Sequence, residues 1–197
     1  RRINEAHNFI LKKKWSKKPF ELTTSLTNKT VGIVGMGEIG KAFSKRVKSL
    51  SMKIVYFGPN KKNLKYKYFK NLKDMASVID VMVITCIGGR KTKDLINKTI
   101  FKLMKPSSII VNVSRGSVIN EVHLLEALNK NLIGGAALDV FEMEPKINNK
   151  FLKLKNVLLS PHNGSATFET REKMANISSQ NLLNLLYLNK SKNRVKY

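Results

Sequence analysis

The chain has 197 residues, 42% of them apolar, with 37 Lys and Arg against 13 Asp and Glu and a single cysteine, Cys86. That length supports one sizeable α/β core. The lone cysteine excludes an internal disulfide and a zinc-binding cysteine cluster, leaves no metal site to expect, and fits a reducing, cytoplasmic compartment. No apolar run approaches the roughly 18 residues of a membrane span, so a soluble protein with no membrane partner is expected. The formal charge of +24 admits nucleic acid as a partner. The lysines, however, are spread over the whole length, with small clusters at Lys12, Lys13 and Lys14 and at Lys61 and Lys62, and no aromatic stacking platform accompanies them. The expectation is a solvated basic surface that attracts anionic cofactor and substrate, not a nucleic-acid interface. The sequence opens at Arg1, so any targeting segment is invisible and the chain is expected to lack its natural start.

Residues 3–15 read as a helix, with Ile3, Ala6, His7, Ile10 and Leu11 at spacings of three and four, and His7 on a helix face without chemistry. Residues 15–26, with Pro19 and a Thr/Ser-rich run, read as a connector lying on a surface. A short β-branched run, Val31-Gly32-Ile33-Val34, then leads into Gly35-Met36-Gly37-Glu38-Ile39-Gly40, and a helix over residues 41–50 puts Ile39, Phe43, Val47 and Leu50 on one face. In such a strand, turn and helix the first glycine takes the turn and the second lets the backbone approach a pyrophosphate. The third allows close helix–strand packing, and the helix N-terminus offers free N–H groups to the anion. The glycine spacing alone also suits an ordinary tight turn; the legible strand and helix on either side favour a dinucleotide site.

Residues 52–57 give a second strand and 80–86 a third, and Pro106 punctuates a helix before a strand over 109–113. Asn120 can cap a helix with Val122, Leu124, Leu125 and Leu128 as its apolar positions. Residues 132–140 and 156–159 supply two more strands, and residues 165–190 return to helix. Strands alternating with helices imply a doubly wound, mostly parallel Rossmann-like sheet with helices on both faces, whose ligands sit beyond the carboxyl ends of the strands.

Three strand ends carry the polar residues that matter. They are Asn112-Val113-Ser114-Arg115-Gly116, Asp139-Val140-Phe141-Glu142-Met143-Glu144-Pro145 and Ser160-Pro161-His162-Asn163-Gly164. Taken singly, Arg115 is an ordinary surface cation, Glu144 a turn residue before proline and His162 a loop histidine. Taken together they can meet in one crevice. Reduction of a carbonyl needs a hydride donor, a cation to hold a carboxylated substrate, and an acid that works near neutrality. Arginine's fork suits the carboxylate, histidine supplies the acid, and a glutamate beside it favours the imidazolium.

In this order the glycine turn, Val113-Ser114-Arg115-Gly116, the Asp139 to Pro145 stretch and Pro161-His162-Asn163-Gly164-Ser165-Ala166-Thr167 resemble the D-isomer-specific 2-hydroxyacid dehydrogenases, glyoxylate and hydroxypyruvate reductases above all. The resemblance implies that Arg115 binds the substrate carboxylate and carbonyl, that His162 is the proton donor or acceptor, and that Glu144 pairs with it. It implies that Asp139 and the backbone near Val113 hold the nicotinamide carboxamide. The cofactor-contacting set it implies comprises Gly35, Gly37, Glu38, Ile39 and Gly40, then Gly58, Pro59, Asn60 and Lys61. It continues with Cys86, Ile87 and Thr92 over the adenosine half, and ends with Val113, Ser114, Arg115, Asp139, His162 and Gly164. In that family a substrate lobe of roughly a hundred residues precedes the cofactor domain. The expected organisation is therefore a linking helix and connector (1–28), a dinucleotide-binding domain (29–165) and a C-terminal helix (166–197) returning to a substrate lobe absent here. A homodimer through the cofactor domain, with the connector across the partner, is also implied.

Departures from the family pattern sharpen the expectations. Gly58, 18 residues past Gly40, stands where an acidic residue takes the ribose hydroxyls of NAD. Its absence removes repulsion against a 2′-phosphate, and Asn60, Lys61 and Lys62 stand beside it, so NADP is expected in preference to NAD. Ile87 replaces a common proline, and Cys86 reads as a packed strand-end residue, not a nucleophile. Glu38 replaces a frequent arginine and is expected to point outward. Asn163 replaces an apolar residue and is expected to tune the substrate pocket. Leu182, Leu183, Leu185, Leu186 and Leu188 make the last helix apolar almost all round, a face expected to pack on the substrate lobe and to leave the isolated chain prone to aggregate. The function expected is hydride transfer from NADPH or NADH to a small 2-oxo acid such as glyoxylate or hydroxypyruvate, giving the D-2-hydroxy acid. A non-enzymatic, dinucleotide-sensing corepressor of the same fold is the alternative.

Overall fold

The strand that leads into the glycine turn is an interior one. β1 (Thr30–Val34) is a β-branched run in which every residue after Thr30 is buried, as a strand covered on both faces must be. The computed structural model, which describes residues 2–188, places it inside a seven-stranded sheet. β2 (Lys53–Phe57) and β3 (Lys67–Phe69) lie on one side of β1. β4 (Val81–Ile84), β5 (Ile109–Asn112), β6 (Gly135–Leu138) and β7 (Val157–Leu159) follow on the other, in the order β3-β2-β1-β4-β5-β6-β7. Every pairing is parallel, so the expected mostly parallel sheet is wholly parallel. The direction of winding reverses between β1 and β4, which opens a crevice beyond their carboxyl ends.

The two faces are covered unequally. Side chains alternate along β1, so Val31 and Ile33 face α2 (Glu38–Val47), where Phe43 and Val47 pack on them with Tyr56. Val34 faces the larger cluster, built with α3 (Leu72–Ala76), α4 (Lys98–Leu103) and α5 (Glu121–Asn129) through Leu72, Met75, Ile100, Phe101, Leu124 and Leu128. Asn71, Asn97 and Asn120 cap these three helices, each side chain accepting a first-turn N–H, the role expected of Asn120.

Several expectations need correction. The first helix, α1 (Ile3–Leu11), ends short of residue 15, with Lys13 left-handed at φ 52°. Its apolar Ile3, Ile10 and Leu11 are exposed, so nothing packs there to extend it. The helix after the glycines starts at Glu38, earlier than expected, and ends at Val47, before a single 3₁₀ turn. Leu50 is therefore exposed, and Ile39, in the first turn, stands at the mouth of the crevice instead of on the packed face. Val122 is also exposed; Leu124, Leu125 and Leu128 carry the buried face of α5. β3 and α3 escape sequence reading: the strand is a three-residue edge held by β2, and the helix has one turn and a half. The final helix, α6 (Phe168–Leu188), leaves Leu182, Leu185, Leu186 and Leu188 exposed; the expected residues 189 and 190 lie outside the described residues. No described helix is long and apolar enough to cross a membrane.

Candidate functional site

The glycine turn has three different physical demands. Gly35 sits at φ +99°, and a Cβ there would lie 2.5 Å from the Cys86 backbone; both conformation and contact require glycine. Gly40 packs on the carbonyl oxygen of Gly35, which leaves no room for a Cβ. The Thr85 hydroxyl donates to that same carbonyl at 2.6 Å and ties β4 to the turn. Gly37 differs: a Cβ would meet nothing within 4 Å. No side chain caps the α2 N-terminus there, so its first-turn N–H groups remain available to an anion. A bare backbone at Gly37 in front of an uncapped helix end fits a bound pyrophosphate. Glu38 points outward, as expected, its exposed carboxylate paired with Lys41 at 2.9 Å.

At the end of β2, Tyr68 donates to the Gly58 carbonyl at 3.0 Å, and the Tyr56 hydroxyl accepts the Lys62 N–H at 2.8 Å. These two tyrosines fix the loop carrying Pro59, Asn60 and Lys61, all exposed. A Cβ at Gly58 would meet nothing, so the place of the missing acid is empty space.

The chemistry gathers across β4, β5 and β6. A cleft of about 760 Å³ is lined by Ile39, Cys86, Ile87, Val113, Ser114, Arg115, Glu144 and His162, within the range of small-ligand sites. Buried Asn112 shapes its floor: its side-chain amide donates to the Arg115 carbonyl at 3.0 Å and its Oδ1 accepts the Ser114 N–H at 3.1 Å. The Arg115 guanidinium donates to the Ser114 carbonyl at 2.7 Å and makes no ion pair among the described residues. A Cβ on Gly88 would fall 2.5 Å from Arg115 Cγ, so that glycine lets the arginine lie across the 87–89 loop. The Thr92 hydroxyl closes the loop on the Ile87 carbonyl at 2.8 Å. Cys86 packs against the core, and burial pushes its thiol up, so it stays a protonated thiol at neutral pH and not a nucleophile.

Glu144 and His162 meet at 2.7 Å, Oε2 to Nδ1. Glu144 Oε1 also accepts the Phe141 N–H at 2.9 Å. The hydrogen bond to His162 holds the Glu144 carboxyl below the usual carboxylate range against its partial burial, helped by the Phe141 N–H and the charge of Arg115. Gly116 makes this convergence possible, because any Cβ there would collide with the Phe141 carbonyl carbon. The Arg115 loop and the Glu144 loop thus lie backbone against backbone.

Asp139 and Gly164, beside the cleft, are bonded to each other, the Gly164 N–H donating to Oδ2 at 3.2 Å. The Asn163 side chain lies 2.7 Å from the Ser160 hydroxyl, a contact its place in the sequence does not signal. Glu121 was not anticipated: its Oε1 accepts the Glu142 N–H at 2.8 Å and braces the loop carrying Glu144. Its only sequence signal is an acid in the first turn of α5, which reads as a dipole partner. Asn112, Gly88 and Ser160 stood next to recognised motifs, but nothing local showed that they hold the loops.

Residues 1–164 match the model of the D-isomer specific 2-hydroxyacid dehydrogenase NAD binding domain. Glyoxylate/hydroxypyruvate reductase A of Arabidopsis thaliana is 37% identical over 183 residues, 92% of this chain and 58% of its own length. A 2-ketogluconate reductase of Gluconobacter oxydans is 39% identical over 176 residues, 89% of this chain and 57% of its own. The crystal structure of an NADPH-dependent glyoxylate/hydroxypyruvate reductase of Sinorhizobium meliloti, in complex with NADP and malonate, superposes with a TM-score of 0.94 at 31% identity, over 98% of this chain and 61% of its own. The chain thus spans less than two thirds of the length of these relatives.

Proposed function

The chain belongs to the D-isomer-specific 2-hydroxyacid dehydrogenase family, and on that premise we propose that the protein it is part of reduces a small 2-oxo acid, such as glyoxylate or hydroxypyruvate, to the D-2-hydroxy acid. The observation that carries the proposal is the 2.7 Å Glu144–His162 pair on the rim of the cleft that Arg115 also lines. The glycine turn at Gly37 and the backbone near Val113 would hold a nicotinamide dinucleotide, which when bound would supply the hydride that the carbonyl carbon accepts. The rest is the work of side chains. Arg115, whose guanidinium has no acidic partner among the described residues, binds the substrate carboxylate and polarises the carbonyl. His162 gives its Nε2 proton to the carbonyl oxygen as negative charge develops there. Glu144, kept ionised, holds Nδ1–H and so orients the ring with Nε2 toward the substrate.

NADPH is the preferred reductant in this reading. The support is the empty space at Gly58 and the exposed Asn60, Lys61 and Lys62 beside it, on a loop pinned by Tyr56 and Tyr68. The reading also includes a cytoplasmic homodimer joined through the cofactor domain. Oxidation of NADPH by glyoxylate and by hydroxypyruvate, followed by absorbance on the full-length protein and repeated with NADH, tests the activity and the cofactor preference. Turnover with a higher catalytic efficiency for NADPH is expected. Tight NADPH binding without turnover of any 2-oxo acid would favour the corepressor-like alternative.

A further inference from the structure

His162 has φ +50°, the left-handed region that is uncommon outside glycine. Four contacts onto or beside Asp139 hold it there. The Ser160 hydroxyl donates to Asp139 Oδ1 at 2.6 Å. The same oxygen accepts the Asn163 N–H at 3.0 Å, and Oδ2 accepts the Gly164 N–H at 3.2 Å. The fourth contact closes the ring, since the Asn163 side chain lies 2.7 Å from the Ser160 hydroxyl. The atom placed against Oγ is Asn163 Oδ1, but a hydroxyl has one proton and here it goes to the carboxylate; the contact is a hydrogen bond once the Asn163 amide is flipped so that its NH₂ faces Oγ. The turn is thus held on both sides of His162, by residue 160 before it and residues 163 and 164 after it, all onto one carboxylate at the end of β6.

We propose that Asp139, Ser160 and Asn163 form a polar clamp that keeps His162 in its left-handed turn, so that Ser160 and Asn163 are positioning residues for the proton transfer. The inference rests on the reductase reading above. The clamp also explains the residue types. An apolar side chain at position 163 cannot bond Ser160, so the asparagine, unusual for the pattern this chain resembles, supplies a bond that such a residue lacks. The clamp uses three of the roughly four lone-pair positions of the Asp139 carboxylate, leaving one on Oδ2 for a further donor. If the clamp opens, the backbone relaxes from φ +50° and Nδ1 leaves Glu144; the acid is then free to rotate, and a displacement of about 1 Å at a reacting group costs on the order of 100-fold in rate.

The test is Ser160→Ala and Ser160→Thr in the full-length protein, with two readouts. The first is the low-field NMR signal of the His162 Nδ1–H bound to Glu144, which needs no turnover. It should be lost or broadened in Ser160→Ala and kept in Ser160→Thr. The second is steady-state kinetics. Ser160→Ala should lower kcat by roughly 10- to 100-fold, with KM for NADPH and the unfolding midpoint near wild type and an increased solvent deuterium isotope effect; Ser160→Thr should restore kcat. An intact Nδ1–H signal in Ser160→Ala overturns the clamp whatever the activity. So does a loss of kcat that follows a loss of stability and that threonine fails to restore. A wild-type protein with the NMR signature but no turnover would sink the reductase reading and leave the clamp standing.

Discussion

Gly37→Ala separates a glycine kept for a ligand from one kept for the fold. Gly37 has φ −84° and ψ −160°, extended backbone that any L residue adopts, and a Cβ built on it meets nothing within 4 Å. The folded chain has room for the methyl; the reduced freedom of the unfolded chain adds about 0.4–1 kcal/mol of stability, and losing glycine at the N-cap of α2 takes back a similar amount. At about 2–4 °C per kcal/mol for a chain of this size, the unfolding midpoint stays near its wild-type value. A bound pyrophosphate does not accept it, because the methyl occupies the approach to the α2 N-terminus. Each charge-assisted hydrogen bond lost there removes about 1.5–3 kcal/mol, so the dissociation constant for NADPH should rise about 10- to 150-fold. Fluorescence titration with NADPH, beside thermal unfolding without cofactor, reads both quantities. An unchanged dissociation constant, or a midpoint several degrees lower, would refute the reasoning. Gly40→Ala is the counterpart: its Cβ collides with the Gly35 carbonyl oxygen, and stability and binding should fall together.

Gly116→Ala should push the Arg115 and Glu144 loops apart, lowering stability by about 1–3 kcal/mol and kcat by on the order of 100-fold; wild-type values of both would show that the Phe141 contact does not matter. Gly58→Asp adds a carboxylate in open space, so the midpoint should stay put while the NADPH to NADH ratio of kcat/KM falls roughly tenfold or more, about 1.4 kcal/mol. For acid stability the sign follows from two carboxylates. Glu144 is held low by its bond to His162, and Asp139 is held low because the Ser160, Asn163 and Gly164 donors outweigh its burial. Depressed native values mean that their contribution is fully present above the ordinary carboxylate range, about 3.9 to 4.3, and is lost as pH falls through the native values. Circular dichroism should show acid loosening setting in below about pH 4, with Asp139→Asn less stable at neutral pH and less sensitive to that acid limb.

Some of this protein was legible along the chain because the signals are local. The β-branched run into Gly35, the amphipathic helix after Gly37 and the cap at Asn120 are each set by a window of a few residues, and the alternation of such windows dictates a parallel α/β sheet. The motifs at three strand ends named Arg115, Glu144 and His162, because in such a sheet strand ends are where side chains can converge. The contacts that hold them are another matter. Glu121 braces the Glu142 backbone across 21 positions, Asp139 grips Asn163 and Gly164 across 24 and 25, and Gly116 meets Phe141 backbone to backbone. No period or spacing encodes these pairings, since a glutamate in a first helical turn or a serine before proline suits solvent equally well. They exist because β5, β6 and β7 lie side by side and bring three loops to one edge; only the packed sheet determines which carboxylate finds which N–H.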